Sequence, residues 1–153
     1  MNKNKISILL PYKENFSPIY PGAVSLFVYD TCMLSEYKKY INVYGSTQFK
    51  ETFSISYINI ELKKTLISSQ SREYVNNFIK FEKKNPSNLI EIHNRPNYLK
   101  LITRKLNNRN YTLFFHNDPL SMEGSKSVEE RKYLLRICYR IIFNSNWSKK
   151  RFL

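Results

Sequence analysis

The residues best suited to chemistry are two histidines, each at the end of a predicted strand. His93 begins the run His-Asn-Arg-Pro, and His116 begins the run His-Asn-Asp-Pro. An imidazole titrates near neutral pH, so it can polarise or position a hydroxyl group. Asp118 is the expected carboxylate to orient His116. A simpler interpretation stays open for each: a histidine that only bonds a neighbouring loop, and an ordinary Asp-Pro turn.

The elements that must position these histidines alternate along the chain. Short β-rich segments lie at 6–10, 40–44, 56–60, 89–93, 111–115 and 140–143. Between them lie helical patterns at about 24–36, 71–84, from Pro96 onward, from the capping box Ser127-Val128-Glu129-Glu130 onward, and at 147–153. Such alternation predicts parallel strands joined by right-handed crossovers. We therefore expect an α/β fold, a Rossmann-like, doubly wound, mostly parallel sheet in one domain over 1–153.

In such sheets ligands bind beyond the carboxyl ends of the strands. Both histidines fall at strand ends, so this rule places the chemistry at that edge of the sheet. A phosphate could dock on the first-turn amides of the helix that follows Gly22, although Pro21-Gly22 as a plain turn is an equal alternative. The chain has three glycines and neither GxGxxG nor GxxxxGK[ST], which argues against dinucleotide oxidoreductases and P-loop enzymes.

The composition suits one folded domain with a net positive charge. Apolar residues make up 42% of the chain, and 25 Lys and Arg against 12 Asp and Glu give a formal charge of +13. This excess is compatible with nucleic acid, an anionic membrane or a phosphorylated substrate, but the bases are scattered, so a solvated surface is equally consistent. No apolar stretch approaches about 20 residues, which predicts a cytoplasmic protein with membrane-surface contact still possible.

The two cysteines are expected to be structural. Cys32 and Cys138 each fall inside a predicted helix among apolar neighbours. Neither has the CxxC or histidine-paired spacing of a metal or redox site. Buried free thiols, and no metal site, are the expectation.

Three stretches of the chain carry a resemblance to a known family. The first, at the start of a predicted helix, is Pro21-Gly22-Ala23-Val24-Ser25. The second consists of the two histidine-containing strand ends, Ile90-Glu91-Ile92-His93-Asn94-Arg95-Pro96 and Leu113-Phe114-Phe115-His116-Asn117-Asp118-Pro119. The third is the end of the chain, Ile141-Ile142-Phe143-Asn144-Ser145-Asn146-Trp147-Ser148-Lys149-Lys150-Arg151-Phe152-Leu153. In this order and spacing the chain resembles the amino-terminal domain of family 4 glycosyltransferases, retaining enzymes of the GT-B architecture.

The resemblance implies a function and a set of site residues. Sugar would pass from a nucleotide-sugar donor to a glycan or lipid-linked acceptor, as in surface-polysaccharide or lipopolysaccharide synthesis, without an essential metal or other cofactor. His116, with Asp118, would be the active-site group. Gly22 and Ala23 would face the donor diphosphate, although this chain has Pro-Gly-Ala where many members have a Gly-Gly pair. The acceptor side would be lined by His93, Asn94, Arg95 and Asn117.

The resemblance also implies a second, carboxyl-terminal domain that binds most of the donor. We expect that domain on a separate chain, the present chain being truncated in its last helix, which should be short and unpacked. Without it, we expect little or no turnover. Two further interpretations stay open: a basic nucleic-acid-binding domain without enzymatic activity, and the product of a broken or split gene.

Overall fold

A computed structural model of the protein describes residues 5–62 and 69–153. Strands and helices alternate along most of this part of the chain. The strands are β1 (Ile6–Leu9), β2 (Ile41–Gly45), β3 (Tyr57–Asn59), β4 (Leu89–His93), β5 (Asn110–Phe115) and β6 (Arg140–Phe143). The helices are α1 (Ala23–Leu34), α2 (Gln70–Lys84), α3 (Pro96–Lys105), α4 (Val128–Ile137) and α5 (Asn146–Phe152), with 3₁₀ turns at Lys38–Tyr40 and Pro119–Ser121.

The six strands form one sheet in the order β3-β2-β1-β4-β5-β6, and every neighbouring pair is parallel. The strand order reverses between β1 and β4, because the chain first builds outward to β3 and then returns to the other side of β1. This is the Rossmann-like, doubly wound arrangement that the alternation predicts. The fold class is therefore confirmed.

Local sequence signals explain where several helices begin. The Ser127 hydroxyl accepts a hydrogen bond from the Glu130 amide at 3.1 Å, and the Glu130 carboxylate accepts one from the Ser127 amide at 3.0 Å. This is the predicted capping box, and it starts α4. Pro96 is the first residue of α3, where its missing amide donor is harmless. The prediction for Cys138 is wrong: it follows the last residue of α4 as its cap and is half-buried, whereas Cys32 is buried inside α1.

The sheet has two unequally covered faces. One face packs against α2, α3, α4 and α5 and holds the larger apolar cluster, which includes Leu9, Ile90 and Leu113. The other face packs against α1 over β1 and β2, around Ile8 and Val43. We call this second side the α1 face. Because side chains alternate along a strand, the register places Glu91, Phe114 and Ile142 on the α1 face beyond the strands that α1 covers.

The last helix is packed, contrary to the expectation from its length. Phe152 is only 1% exposed, and its ring centroid lies 5.4 Å from that of Phe115 and 5.3 Å from that of Phe143. The Ser145 hydroxyl accepts a hydrogen bond from the Ser148 amide at 3.1 Å and caps the first turn. Aromatic packing therefore stabilises a helix that is too short to be stable alone.

A buried carboxylate ties three elements together at the amino-terminal edge of the sheet. Glu82, near the end of α2, is fully buried. Its carboxylate accepts hydrogen bonds from the Ser7 hydroxyl of β1, from the Ser87 hydroxyl at 2.9 Å and from the Ser87 amide at 3.1 Å. A buried charged group is tolerated only when its hydrogen-bonding capacity is met in this way.

Replacing Glu82 by Gln should lower the free energy of unfolding by about 1–3 kcal/mol, because the amide nitrogen cannot accept the bonds that a carboxylate oxygen accepts. Urea unfolding monitored by circular dichroism measures the change. Glu51→Gln, at an exposed position, is the matched control and should change stability by less than about 0.5 kcal/mol. Equal stability of the two variants would contradict the structural role of Glu82.

Candidate functional site

A cleft of about 680 Å³ opens at the carboxyl ends of the strands. It spans the point where the strand order reverses, where ligands bind in sheets of this topology. Its walls come from the segment after β1, the first turns of α1, and the ends of β4, β5 and β6. The lining residues are Pro11, Glu14, Ala23, Val24, Phe27, Asn94, Arg95, Phe114, Phe115, His116, Asn117, Ile142, Phe143 and Asn144.

The two histidines are brought together at this cleft, where His116 lines the wall and His93 lies behind it. His93 Nδ1 lies 2.8 Å from His116 Nε2, so one ring donates a hydrogen bond to the other. On its far side, His93 Nε2 lies 2.8 Å from Glu91 Oε1. His93 is fully buried, whereas His116 is partly exposed and lines the cleft. The three side chains form a continuous hydrogen-bonded row that ends at the ligand-accessible ring.

Aromatic rings hold this row in place. The Phe114 ring stacks on His93, with centroids 4.6 Å apart and planes within 6° of parallel. Phe27 of α1 meets the His116 ring edge to face at 4.8 Å. Burial, followed by the electrostatic influence of His93, lowers the pKa of His116 from 6.5 to about 4. His116 is therefore neutral at pH 7 and can offer one nitrogen as a donor and the other as an acceptor.

Three of the residues expected on the acceptor side form a ridge beside His116. Asn94, Arg95 and Asn117 line the main cleft and also a second cleft of about 420 Å³. Asn94 is buried with φ +52°, a left-handed conformation that asparagine tolerates, and its Oδ1 accepts a hydrogen bond from the His116 amide at 2.8 Å. Arg95 donates to the Asn94 carbonyl at 2.8 Å, and Asn117 is exposed. Asn94 therefore fixes the loops, whereas the other two face solvent.

Asp118 does not orient His116. Its carboxylate forms an ion pair with the Arg151 guanidinium of α5 at 2.9 Å and accepts a hydrogen bond from the Leu120 amide at 3.1 Å. The Asp118–Arg151 pair lowers the pKa of this exposed carboxyl. The expectation that Asp118 orients the imidazole is corrected: Glu91 stands behind His116 instead, acting through His93. Asp118 caps the turn Pro119–Ser121 and joins it to α5.

The amino-terminal end of α1 already carries an anionic group. The Glu14 carboxylate accepts hydrogen bonds from the Val24 amide at 3.0 Å and the Ser25 amide at 3.1 Å. A methyl group on Gly22 would overlap this carboxylate, so the glycine makes room for it. Gly22 and Ala23 thus lie where the sequence analysis expects them, at the start of α1. The negative charge beside them, however, belongs to the protein, and a phosphate would have to displace Glu14 to dock there.

Sequence reasoning missed Glu14, Glu91 and Phe27 as site residues. Glu91 could have been found, because a residue two positions before His93 in a strand points to the same face. Glu14 reaches α1 through a turn in which Lys13 has φ +67°, and no motif predicts that contact. Phe27 resembles any apolar helix residue in sequence, yet it is 39% exposed beside the cleft.

The arrangement is suited to a ligand rich in hydroxyl groups. It combines a neutral imidazole, carboxamide side chains and an exposed aromatic ring around one opening, which are groups that hydrogen-bond and stack on sugars. Across 5–62 and 69–153, no three His, Cys, Asp or Glu side chains gather as a metal site would require. In the same segments, no helix is long and apolar enough to cross a membrane.

The lowered pKa of His116 predicts an acid-dependent loss of stability. Between pH 6.5 and about 4 the unfolded chain binds a proton at this ring that the folded chain does not, so stability falls as the pH falls through that window. Between pH 7 and pH 4.5, the free energy of unfolding should therefore fall by about 1–3 kcal/mol less in the His116→Asn variant than in the unmodified protein. Urea unfolding at both pH values measures it, with the exposed Lys132→Gln as control. Equal losses would contradict the depressed pKa.

The contact between Gly22 and Glu14 predicts a strong non-additivity. Gly22→Ala should lower the free energy of unfolding by about 1–2 kcal/mol, because the added methyl group displaces the Glu14 carboxylate that caps α1. In a Glu14→Ala background the cap is already gone, so the same substitution should cost less than about 0.5 kcal/mol. Thermal unfolding of the unmodified protein, the two single variants and the double variant gives the four stabilities of this double-mutant cycle. Additive effects would show that Gly22 serves some other purpose.

No protein-family model matches the chain, and no curated protein matches it significantly.

Proposed function

We propose that the protein is a glycosyltransferase domain, which passes sugar from a nucleotide-sugar donor to a glycan or lipid-linked acceptor. The observation that carries the proposal is the position of His116: a neutral imidazole, hydrogen-bonded to His93, in the wall of a cleft where the strand order reverses. Sugar hydroxyls both donate and accept hydrogen bonds, so a neutral imidazole with a fixed tautomer discriminates among their orientations.

The size and lining of the cleft support a sugar-bearing ligand. A volume of about 680 Å³ lies within the usual range of small-molecule sites. Phe27 offers an aromatic surface next to His116, while Asn117 and Asn144 offer carboxamide groups at the rim. Asn144 also donates to the His116 carbonyl at 2.7 Å, which fixes the backbone at the reacting position.

The proposal assigns the acceptor and the transferred sugar to this cleft and most of the nucleotide to another domain. The Glu14 carboxylate at the start of α1 supports this division, because it repels a diphosphate unless it moves. Retention of the anomeric configuration and a peripheral position at an anionic membrane face belong to the same proposal. The excess of positive charge favours the membrane contact.

Replacing His116 by Ala should lower kcat/KM for sugar transfer by at least about 100-fold, because the imidazole contacts the reacting groups. The assay uses the protein together with any further domain it has in the cell and supplies a panel of radiolabelled nucleotide-sugars with lipid and glycan acceptors. Glu51→Gln is the control and should transfer at the unmodified rate. Thermal unfolding of both variants separates a chemical loss from misfolding.

Two results would count against the proposal. Unchanged kinetics in the folded His116→Ala variant would remove that histidine from the chemistry. Absence of transfer to every acceptor, together with tight and salt-sensitive binding of single-stranded DNA, would favour the nucleic-acid-binding alternative.

A further inference from the structure

The row Glu91–His93–His116 has a definite order of donors and acceptors. Glu91 and His93 lie two residues apart in β4, so their side chains share the α1 face, and the Glu91 side chain is 19% exposed. A carboxylate can only accept hydrogen bonds, so the 2.8 Å contact requires a proton on His93 Nε2. Neutral His93 then presents a lone pair at Nδ1.

This order fixes the tautomer of the second ring. With a lone pair on His93 Nδ1, the 2.8 Å contact between the rings requires His116 Nε2 to be the donor. The remaining nitrogen, His116 Nδ1, then carries a lone pair. It has no hydrogen-bond partner within the part of the chain that the structure describes, and its ring lines the cleft. The row therefore ends in an acceptor available to a ligand hydroxyl.

We propose that Glu91 and His93 form a proton relay behind His116. When a ligand hydroxyl gives its proton to His116 Nδ1, His116 passes its own Nε2 proton to His93 Nδ1. The O–H bond breaks and an N–H bond forms in the cleft, while one N–H bond breaks and another forms between the rings. The electron pair left on the hydroxyl oxygen forms the bond to the transferred sugar carbon, and the bond from that carbon to the nucleotide phosphate breaks. The positive charge comes to rest on His93, next to the Glu91 carboxylate. That the hydroxyl belongs to a sugar acceptor rests on the proposed function.

The two imidazole rings differ in the partners that a charged ring would meet. Glu91 contacts His93 directly, and the stacked Phe114 ring offers its negative face to an imidazolium. His116 lacks such a partner, and burial together with His93 lowers its pKa to about 4. A proton that moves one ring further in therefore gains the Glu91 carboxylate as a direct partner of its ring.

Other charged groups lie within electrostatic reach of the row. Burial raises the pKa of the Cys32 thiol on α1 to about 12; Glu91 adds to this rise and Lys38 opposes it, so both charges act on this side of the sheet. Glu14 and Arg95 line the same cleft with opposite charges. Among the described residues, Glu91 is the charged side chain that hydrogen-bonds an imidazole nitrogen, and it is the group that the relay needs.

Nitrogen-15 NMR of the whole chain at pH 7 tests the order of protons. We expect Nε2 protonated and Nδ1 unprotonated in both histidines. Glu91→Met removes the acceptor and should abolish the single tautomer of His93 and His116, whereas Glu91→Gln keeps an acceptor oxygen and should preserve it. A proton on His116 Nδ1 in the unmodified protein, or an unchanged tautomer in Glu91→Met, would overturn the relay.

Transfer kinetics test the movement of the proton. Glu91→Gln should lower kcat by about 10-fold or more with KM within about twofold, because it removes the charge that stabilises the imidazolium but keeps the geometry. Glu51→Gln should transfer at the unmodified rate. An unchanged kcat in Glu91→Gln would overturn the proton transfer. Failure of the unmodified protein to transfer any sugar contradicts the proposed function instead, and the NMR result still decides the proton order.

Discussion

The register between β4 and β5 is the constraint on which the site depends. Parallel pairing sets His93 opposite Phe114, and the chain then continues two residues to His116 beyond the end of β5. The two rings meet only because both strands end at the same edge and Asn94 joins the loops that follow them. A shift of one residue would turn His93 and Glu91 to the opposite face, among the apolar side chains of the larger cluster.

The amino-terminal edge of the sheet carries stabilising contacts, whereas the carboxyl-terminal edge carries the polar groups of the cleft. At the amino-terminal edge, Glu82 satisfies donors from β1 and from the segment before β4, and apolar helices cover the larger cluster. At the carboxyl-terminal edge, two loop residues, Lys13 and Asn94, have left-handed backbone conformations, and each belongs to a segment next to the cleft. Backbone strain of this kind persists only where the surrounding structure fixes it, and it occurs often at functional sites.

The α1 face also explains why the row of acid and imidazole groups remains accessible. Parallel sheets are usually covered by helices on both faces, yet within the described residues the apolar cluster under α1 lies over β1, β2 and β3, and Phe27 alone is seen to reach from α1 to the rings at β4 and β5. Phe114 and Ile142 are left partly exposed next to His116, and Ile142 is 36% exposed. The cleft is therefore an unfilled part of the doubly wound architecture, and a ligand that enters it removes apolar surface from water as well as meeting the imidazole.

The sequence alone determined the fold class, because strand-helix alternation, the capping box at Ser127 and Pro96 at a helix start act locally and agree with one another. It also placed both histidines at strand ends and hence at one edge. Tertiary structure decided their partners. Glu91, and not Asp118, is linked to His116, because the hydrogen bond between His93 and His116 joins the ends of two strands that are distant in sequence. Glu14 reaches the start of α1 through a turn, and Phe152 is buried by contacts with two strands. No local sequence pattern predicts either of these contacts.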